Sequence, residues 1–238
     1  MSFLKTSKAL VLADQAIFSG TSFLLNILLT RSLSVADFGK YSAIVLVAYL
    51  AISAISAWTT QVFQVSADRS KEYISFIFVS QVMLTGIVGS GFSLCSSILS
   101  IEVSHTVVLF GVGFVLYDFC RKILLALDHI AFTLALDVVA SVLVLAGFGA
   151  FYYSESKDMH DVLSYFSGAY FMVFLMTFVM VKPFAFRYKA SESFAMQHIK
   201  AGKWLFFTAV SQWWAGNLFV VASGLYLGAA ALGALRLG

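Results

Sequence analysis

IAFTLALDVVASVLVLAGFGAFY, residues 130–152, carries a single charged side chain, Asp137, in a run long enough to cross a bilayer as a helix. A hydrocarbon core about 30 Å thick needs roughly 20 apolar residues at the helical rise. Lipid offers an unpaired backbone no partner, so a segment that crosses alone must satisfy its own N–H and C=O groups as a helix. Six further stretches have the same character, near 10–30, 41–65, 73–98, 105–127, 161–181 and 204–228. The chain is therefore expected to be an all-α polytopic membrane protein with seven spans. Composition agrees, with 61% hydrophobic and 11% charged residues, against about 25% charged in a soluble domain. A net charge of +3, spread over the span ends, makes no nucleic-acid footprint.

Lys5 and Lys8 precede the first apolar run. Asp14 and Gln15 interrupt it, and it is longer than a signal-peptide core, so it reads as a retained span. Cys95 and Cys120 fall in spans near opposite faces of the membrane, which excludes their pairing. Basic residues give the orientation, because Lys and Arg near span ends stay in the cytoplasm. One side holds Lys5, Lys8, Arg69, Lys71, Arg121, Lys122, Lys182, Arg187, Lys189, Lys200 and Lys203, and the other only Arg31, Lys40, Lys157 and Arg236. Eleven against four predicts a cytoplasmic N-terminus.

The breaks between spans are polar and mostly short, leaving no room for a folded extramembrane domain. The longest, Lys182 to Lys203, alternates Pro183, Phe184, Phe186 and Tyr188 with Arg187 and Lys189. Ser193 is then placed to cap a short helix with Met196 and Ile199 toward lipid. The segment reads either as an interfacial linker between two bundles or as a basic loop obeying the orientation rule.

Polar residues at helical spacing mark faces turned away from lipid. In the first span Gln15, Ser19, Ser22, Asn26 and Thr30 form one stripe, with Asp14 at its cytoplasmic end. Ser53, Ser56, Thr60 and Gln64 repeat the pattern in the second span, and Thr208, Ser211, Gln212 and Asn217 in the seventh. Either these residues line a cavity, or the hydroxyls let helices approach and bond across their interface. The fourth and fifth spans carry a charge cluster of Asp118, Arg121, Lys122 and Asp137. Arg121 and Asp137 are equidistant from the turn at Asp128 and His129, which predicts an ion pair across an antiparallel hairpin. Asp118 is spaced to pair with Arg121 or Lys122 along its own helix. The alternative is that both basic residues snorkel to the cytoplasmic surface.

No enzyme constellation is present. His105, His129, His160 and His198 sit in four separate breaks, without metal-ligand spacing. Gly86, Gly89 and Gly91 lie within a span, where close helix packing accounts for them. No cofactor is indicated.

The two ends of the chain echo each other. Leu33 to Tyr41 follows the first span as Leu227 to Leu235 follows the seventh, each with Leu, a short spacer, an apolar residue and Gly. Six spans separate the copies, so both enter the membrane from the same side, as parallel repeats do. The expected organisation is a six-helix lobe over 1–182, an interfacial linker over 183–203, and the first helix of an incomplete second lobe over 204–238.

Taken together, Asp14-Gln15, Leu33 to Gly39, Tyr117-Asp118-Phe119-Cys120-Arg121-Lys122 with Asp137, Trp204, Gln212-Trp213 and Leu227 to Leu235 resemble the bacterial oligosaccharide flippases. These are the Wzx-like polysaccharide transporters of the multidrug/oligosaccharidyl-lipid/polysaccharide exporter superfamily. The chain covers the first half of that family's architecture. The resemblance implies residence in the bacterial inner membrane and alternating access between two lobes. It also implies a polyprenyl-pyrophosphate-linked oligosaccharide as cargo, for O-antigen-type lipopolysaccharide or other surface polysaccharide, with glycan polymerase or assembly proteins as partners. The family binds the pyrophosphate in a cationic cavity, for which Arg31, Arg121 and Lys122 are the matching residues. A chain with one lobe and one helix is expected not to transport alone. A cation-coupled multidrug exporter of the same superfamily is the nearest alternative, with Asp14 as coupling carboxylate. A membrane glycan polymerase or transferase, the alternative of another class, would need a larger outer loop than Ser154 to Asp161.

Overall fold

The computed structural model describes residues 2–98, 104–154, 158–185 and 188–235 and is all-helical, with no strand among the described residues. The helices are α1 (Ser2–Ser32), α2 (Val35–Trp58), α3 (Thr60–Val65), α4 (Lys71–Ile98), α5 (His105–Ala126), α6 (Ile130–Tyr153), α7 (Met159–Val181), α8 (Tyr188–Leu227) and α9 (Ala229–Leu235). Six are long and apolar enough to cross a membrane: α1, α2, α4, α6, α7 and α8. The fourth expected span, α5, is as long but carries Asp118, Arg121 and Lys122 in its second half. It occupies the centre of the bundle, packed along α7 and touching α2, α4 and α6, so its flanks are covered by protein. The side chains of Lys5, Lys8, Cys95, Glu102, Lys157, Phe186, Arg187, Tyr188, Lys189 and Arg236 lie outside the described ones.

The core is aromatic along the α5–α7 seam. Tyr170 of α7 stacks on Tyr117 (5.1 Å between centroids) and lies against Phe114 (5.3 Å) and Phe110 (6.0 Å). Gly113 makes room for it, since a Cβ there would stand 3.4 Å from Tyr170 and Phe171.

Two boundaries differ from the sequence expectation. The second span begins at Val35 rather than 41, because Ser34 caps it: its hydroxyl accepts from the Asp37 N–H (3.1 Å) and donates to the Asp37 carboxylate (2.7 Å). That span also breaks at Thr59, whose hydroxyl lies 3.0 Å from the Ile55 carbonyl and 2.8 Å from Gln81 Oε1. The second difference is at 183–203. No short helix capped by Ser193 forms there, because α8 runs unbroken from Tyr188 to Leu227. At 1.5 Å per residue its 40 residues span about 60 Å, twice the hydrocarbon thickness, so part of the helix extends beyond that layer.

His198 explains how α8 is held, and it lies in that helix rather than in a break. It is buried, with Nδ1 2.6 Å from the Trp58 carbonyl and Nε2 2.7 Å from the Tyr73 hydroxyl. One imidazole thus joins the broken end of α2 to the start of α4. Phe194 stacks on Tyr73 at 4.4 Å beside it. Arg69, counted above only as an orientation charge, donates to carbonyls of Phe63, Gln64 and Ser66 at the end of α3 and of Ala126 at the end of α5. It supplies the donors that two helix C-termini lack.

After Gly228, at φ +85°, the chain turns back and α9 packs on the first turns of α2. The backbones touch. A Cβ built on Gly39 lands on the Ala229 carbonyl, and one built on Gly233 stands 3.0 Å from the Val35 carbonyl. Gly39→Ala is therefore expected to lower stability by about 1–3 kcal/mol. Gly20→Ala, in open space on α1, is expected to be neutral or stabilising by up to about 1 kcal/mol. Thermal unfolding of both variants in detergent checks the contrast.

Candidate functional site

The turn between α5 and α6 sets the geometry of the charge cluster. Asp128 takes the left-handed conformation (φ 59°) just past the end of α5. Its N–H reaches the Leu125 carbonyl (3.1 Å), and the N–H of His129 reaches that of Leu124 (2.9 Å). This is the paired closure of a Schellman turn, and it makes the hairpin tight enough to align the two helices residue by residue.

Arg121 and Asp137 then stand face to face, with Nε 2.7 Å from Asp137 Oδ2. The third member comes from α1, where Asp14 Oδ2 lies 2.9 Å from Arg121 Nη2. Tyr117, one turn before Arg121, donates its hydroxyl to Asp137 Oδ1 at 2.7 Å. Phe18, one turn after Asp14, lies under the guanidinium at 3.8 Å, a cation–π contact. The side chains of Asp14, Arg121 and Asp137 are 4%, 11% and 0% exposed, so Arg121 turns inward and does not snorkel. It lies five residues, about 8 Å, from the end of α5.

A lone charge in a membrane-embedded helix costs on the order of 2.5–3.5 kcal/mol, which the pairing offsets. The offset is incomplete in one respect: two carboxylates face one guanidinium, and Asp14 Oδ1 is buried without a hydrogen-bond partner. Lys122 and Asp118 form a separate pair at 2.7 Å, nearer the surface at 30% and 21% exposure.

No family model, curated protein or solved structure matches the chain.

The polar stripe of α1 divides between two environments. Ser22 and Asn26 line a cavity of about 60 Å³ with Tyr41, Ser42 and Tyr49 of α2. Ser22 also borders a space of about 30 Å³ with Thr21, Ser141 and Tyr117. Both exceed the roughly 10–15 Å³ a water needs. The two spaces share Ser22, Leu25, Phe114 and Tyr170, and Phe18 and Tyr117 link the smaller one to the charge cluster. Gln15 and Ser19 instead bond each other (3.0 Å) on an exposed face.

The other candidates are scattered. On α2, Ser56 is buried and its hydroxyl donates to the carbonyl of half-buried Ser53 (3.3 Å). The hydroxyl of Thr60 is buried without a partner. On α8, Gln212 is exposed, and Asn217 donates to its own helix at the Trp213 carbonyl (2.8 Å). Of the three cations matched to a pyrophosphate site, Arg121 and Lys122 are engaged by carboxylates, and Arg31 is exposed at the end of α1. Among the described residues no group of His, Cys, Asp and Glu is arranged to hold a metal ion.

Sequence reasoning missed two things here. Asp14 reads in the sequence as the end of a stripe and, by resemblance, as a coupling carboxylate, not as a partner of Arg121, although Phe18 one turn on offers a surface for a guanidinium. The His198–Trp58 contact left no signal, because a helix break in the middle of an apolar run has no marker in the sequence.

Arg121→Met leaves two buried carboxylates facing each other and is expected to destabilise the chain by about 3–5 kcal/mol. Adding Asp14→Asn and Asp137→Asn is expected to recover most of that loss, because the three groups act as one unit. Thermal unfolding of the single and triple variants measures this; simple addition of the losses would contradict it.

Proposed function

We propose that the chain is the N-terminal lobe and the start of a second lobe of a flippase in the bacterial inner membrane. Its cargo is an oligosaccharide on a polyprenyl pyrophosphate, moved to the outer leaflet for surface polysaccharide assembly, with the N-terminus in the cytoplasm. The observation that carries this reading is the contact of α2 with α9. In the alignment of Leu33–Tyr41 with Leu227–Leu235, Val35 corresponds to Ala229 and Gly39 to Gly233. Gly39 meets Ala229, and Gly233 meets Val35. The counterparts of two touching residues touch each other, the reciprocity of a two-fold contact.

Two copies related by a two-fold axis along the membrane normal are one of the ways transporters build a site at a repeat interface. In this reading α8 is the counterpart of α1, and the exposed Gln15, Ser19 and Gln212 face the space between lobes. Arg31, outside the ion pairs, is the cation placed to meet a phosphate.

A cation-coupled exporter is supported by one observation, the buried and unpartnered Asp14 Oδ1 beside an excess carboxylate.

Deleting the reading frame in its host separates the two. The flippase reading expects loss of surface polysaccharide with build-up of the polyprenyl-linked oligosaccharide inside the cell. Unchanged polysaccharide together with new drug sensitivity, not restored by Asp14→Asn, would favour the exporter.

A further inference from the structure

A groove of about 520 Å³ opens between α2, α4 and α5, away from the charge cluster. Its walls are apolar, with Val47, Val88 and Phe92 partly exposed along it. Its floor lies at mid-helix: Thr85 is the fifteenth residue of α4, which has 28 residues, and Val115 the eleventh of α5, which has 22. The ten helical steps from His105 to Val115 span about 15 Å, half of a roughly 30 Å hydrocarbon core. The groove is thus one leaflet deep, the depth of an acyl chain whose head stays at the near surface.

The rim carries charges of both signs. Lys40 Nζ is 3.0 Å from Asp37 Oδ1, and its other N–H groups remain available as donors. Asp158 and His160, at the start of α7, also line the groove; the Asp158 carboxylate caps α7 by accepting from the His160 N–H (3.1 Å), and His160 Nδ1 lies 3.0 Å from Ser104 Oγ and 3.2 Å from Thr106 Oγ1. Among the described lining residues, two carboxylates, Asp37 and Asp158, against one ammonium, Lys40, repel a head that is only anionic. They match a head that carries both a phosphate, toward Lys40, and an ammonium, toward Asp158.

We infer that this groove is a binding site for one diacyl phospholipid with a zwitterionic amine–phosphate head, such as phosphatidylethanolamine. One acyl chain lies along α2, α4 and α5, and the head spans Lys40 and Asp158. Gly111 offers a way to close the site, because it lines the groove and a Cβ on it meets nothing within 4 Å.

The test is native mass spectrometry of the full chain titrated with phosphatidylethanolamine or phosphatidylglycerol of identical acyl chains. Retention of phosphatidylethanolamine is expected to exceed that of phosphatidylglycerol by about two- to fivefold, the range an exposed ion pair supports. Asp158→Asn, which keeps an oxygen to cap α7, is expected to abolish that preference. Gly111→Trp is expected to cut retention of both lipids by about tenfold, equivalent to about 1.4 kcal/mol. If that variant does not fold, Val47→Trp fills the groove from the α2 wall. Equal retention of the two lipids by the unaltered chain would overturn the head assignment. Undiminished retention in a folded groove-filled variant would overturn the site.

Discussion

The Arg121 guanidinium is the constraint on which the bundle depends. An arginine in a protein does not give up its proton, so inside a membrane it must either reach water or be surrounded by acceptors. Here it is surrounded, by Asp137 across the hairpin and Asp14 from α1, with the Phe18 ring beneath. Helix α1 needs this anchor. Among its described side chains few are buried, Asp14, Leu25 and Leu29, and apart from the charge cluster the polar link they make to α6 is the Thr21–Ser141 bond at 2.8 Å. Lipid supplies no hydrophobic force to press one apolar helix on another. Directional polar contacts therefore decide which faces meet.

The same constraint explains why α5, with three charged residues in its second half, lies at the centre. Surrounded by α2, α4, α6 and α7, α5 shows lipid little of its polar second half. The aromatic seam with α7 fills its first half. The charges and the packing are one arrangement: the tight turn after Ala126 sets the hairpin register, the register aligns Arg121 with Asp137, and the pair makes burial of both tolerable.

Much of this was legible in the sequence. Length and apolarity located the long helices, since a helix that crosses lipid has few alternatives. The Arg121–Asp137 juxtaposition followed from equal distances to Asp128 and His129. What was not legible came from contacts between distant elements. Asp14 joins Arg121 across more than 100 residues, and no periodicity links them. The break at Thr59 and the continuity of α8 through 188–203 share one cause. His198 and Gln81 take up polar groups at the end of α2, and α8 stays helical against that surface. Arg69 looked like an orientation charge because a side chain that caps two helix ends has the same one-dimensional signature. The motif Ser34-x-x-Asp37 is readable as a cap, although the apolar run starts later.

The proposed two-copy organisation has a consequence for sidedness. If α1–α2 and α8–α9 are equivalent, Ala36 and its counterpart Ala230, both exposed, lie on one side of the membrane, and Asp128 lies on the other. Labelling intact cells with a membrane-impermeant maleimide reads this directly, using single-cysteine variants of a chain from which Cys95 and Cys120 have been removed. The account predicts labelling at Ala36→Cys and Ala230→Cys and none at Asp128→Cys. Labelling of Ala36→Cys and Ala230→Cys from opposite sides would contradict it.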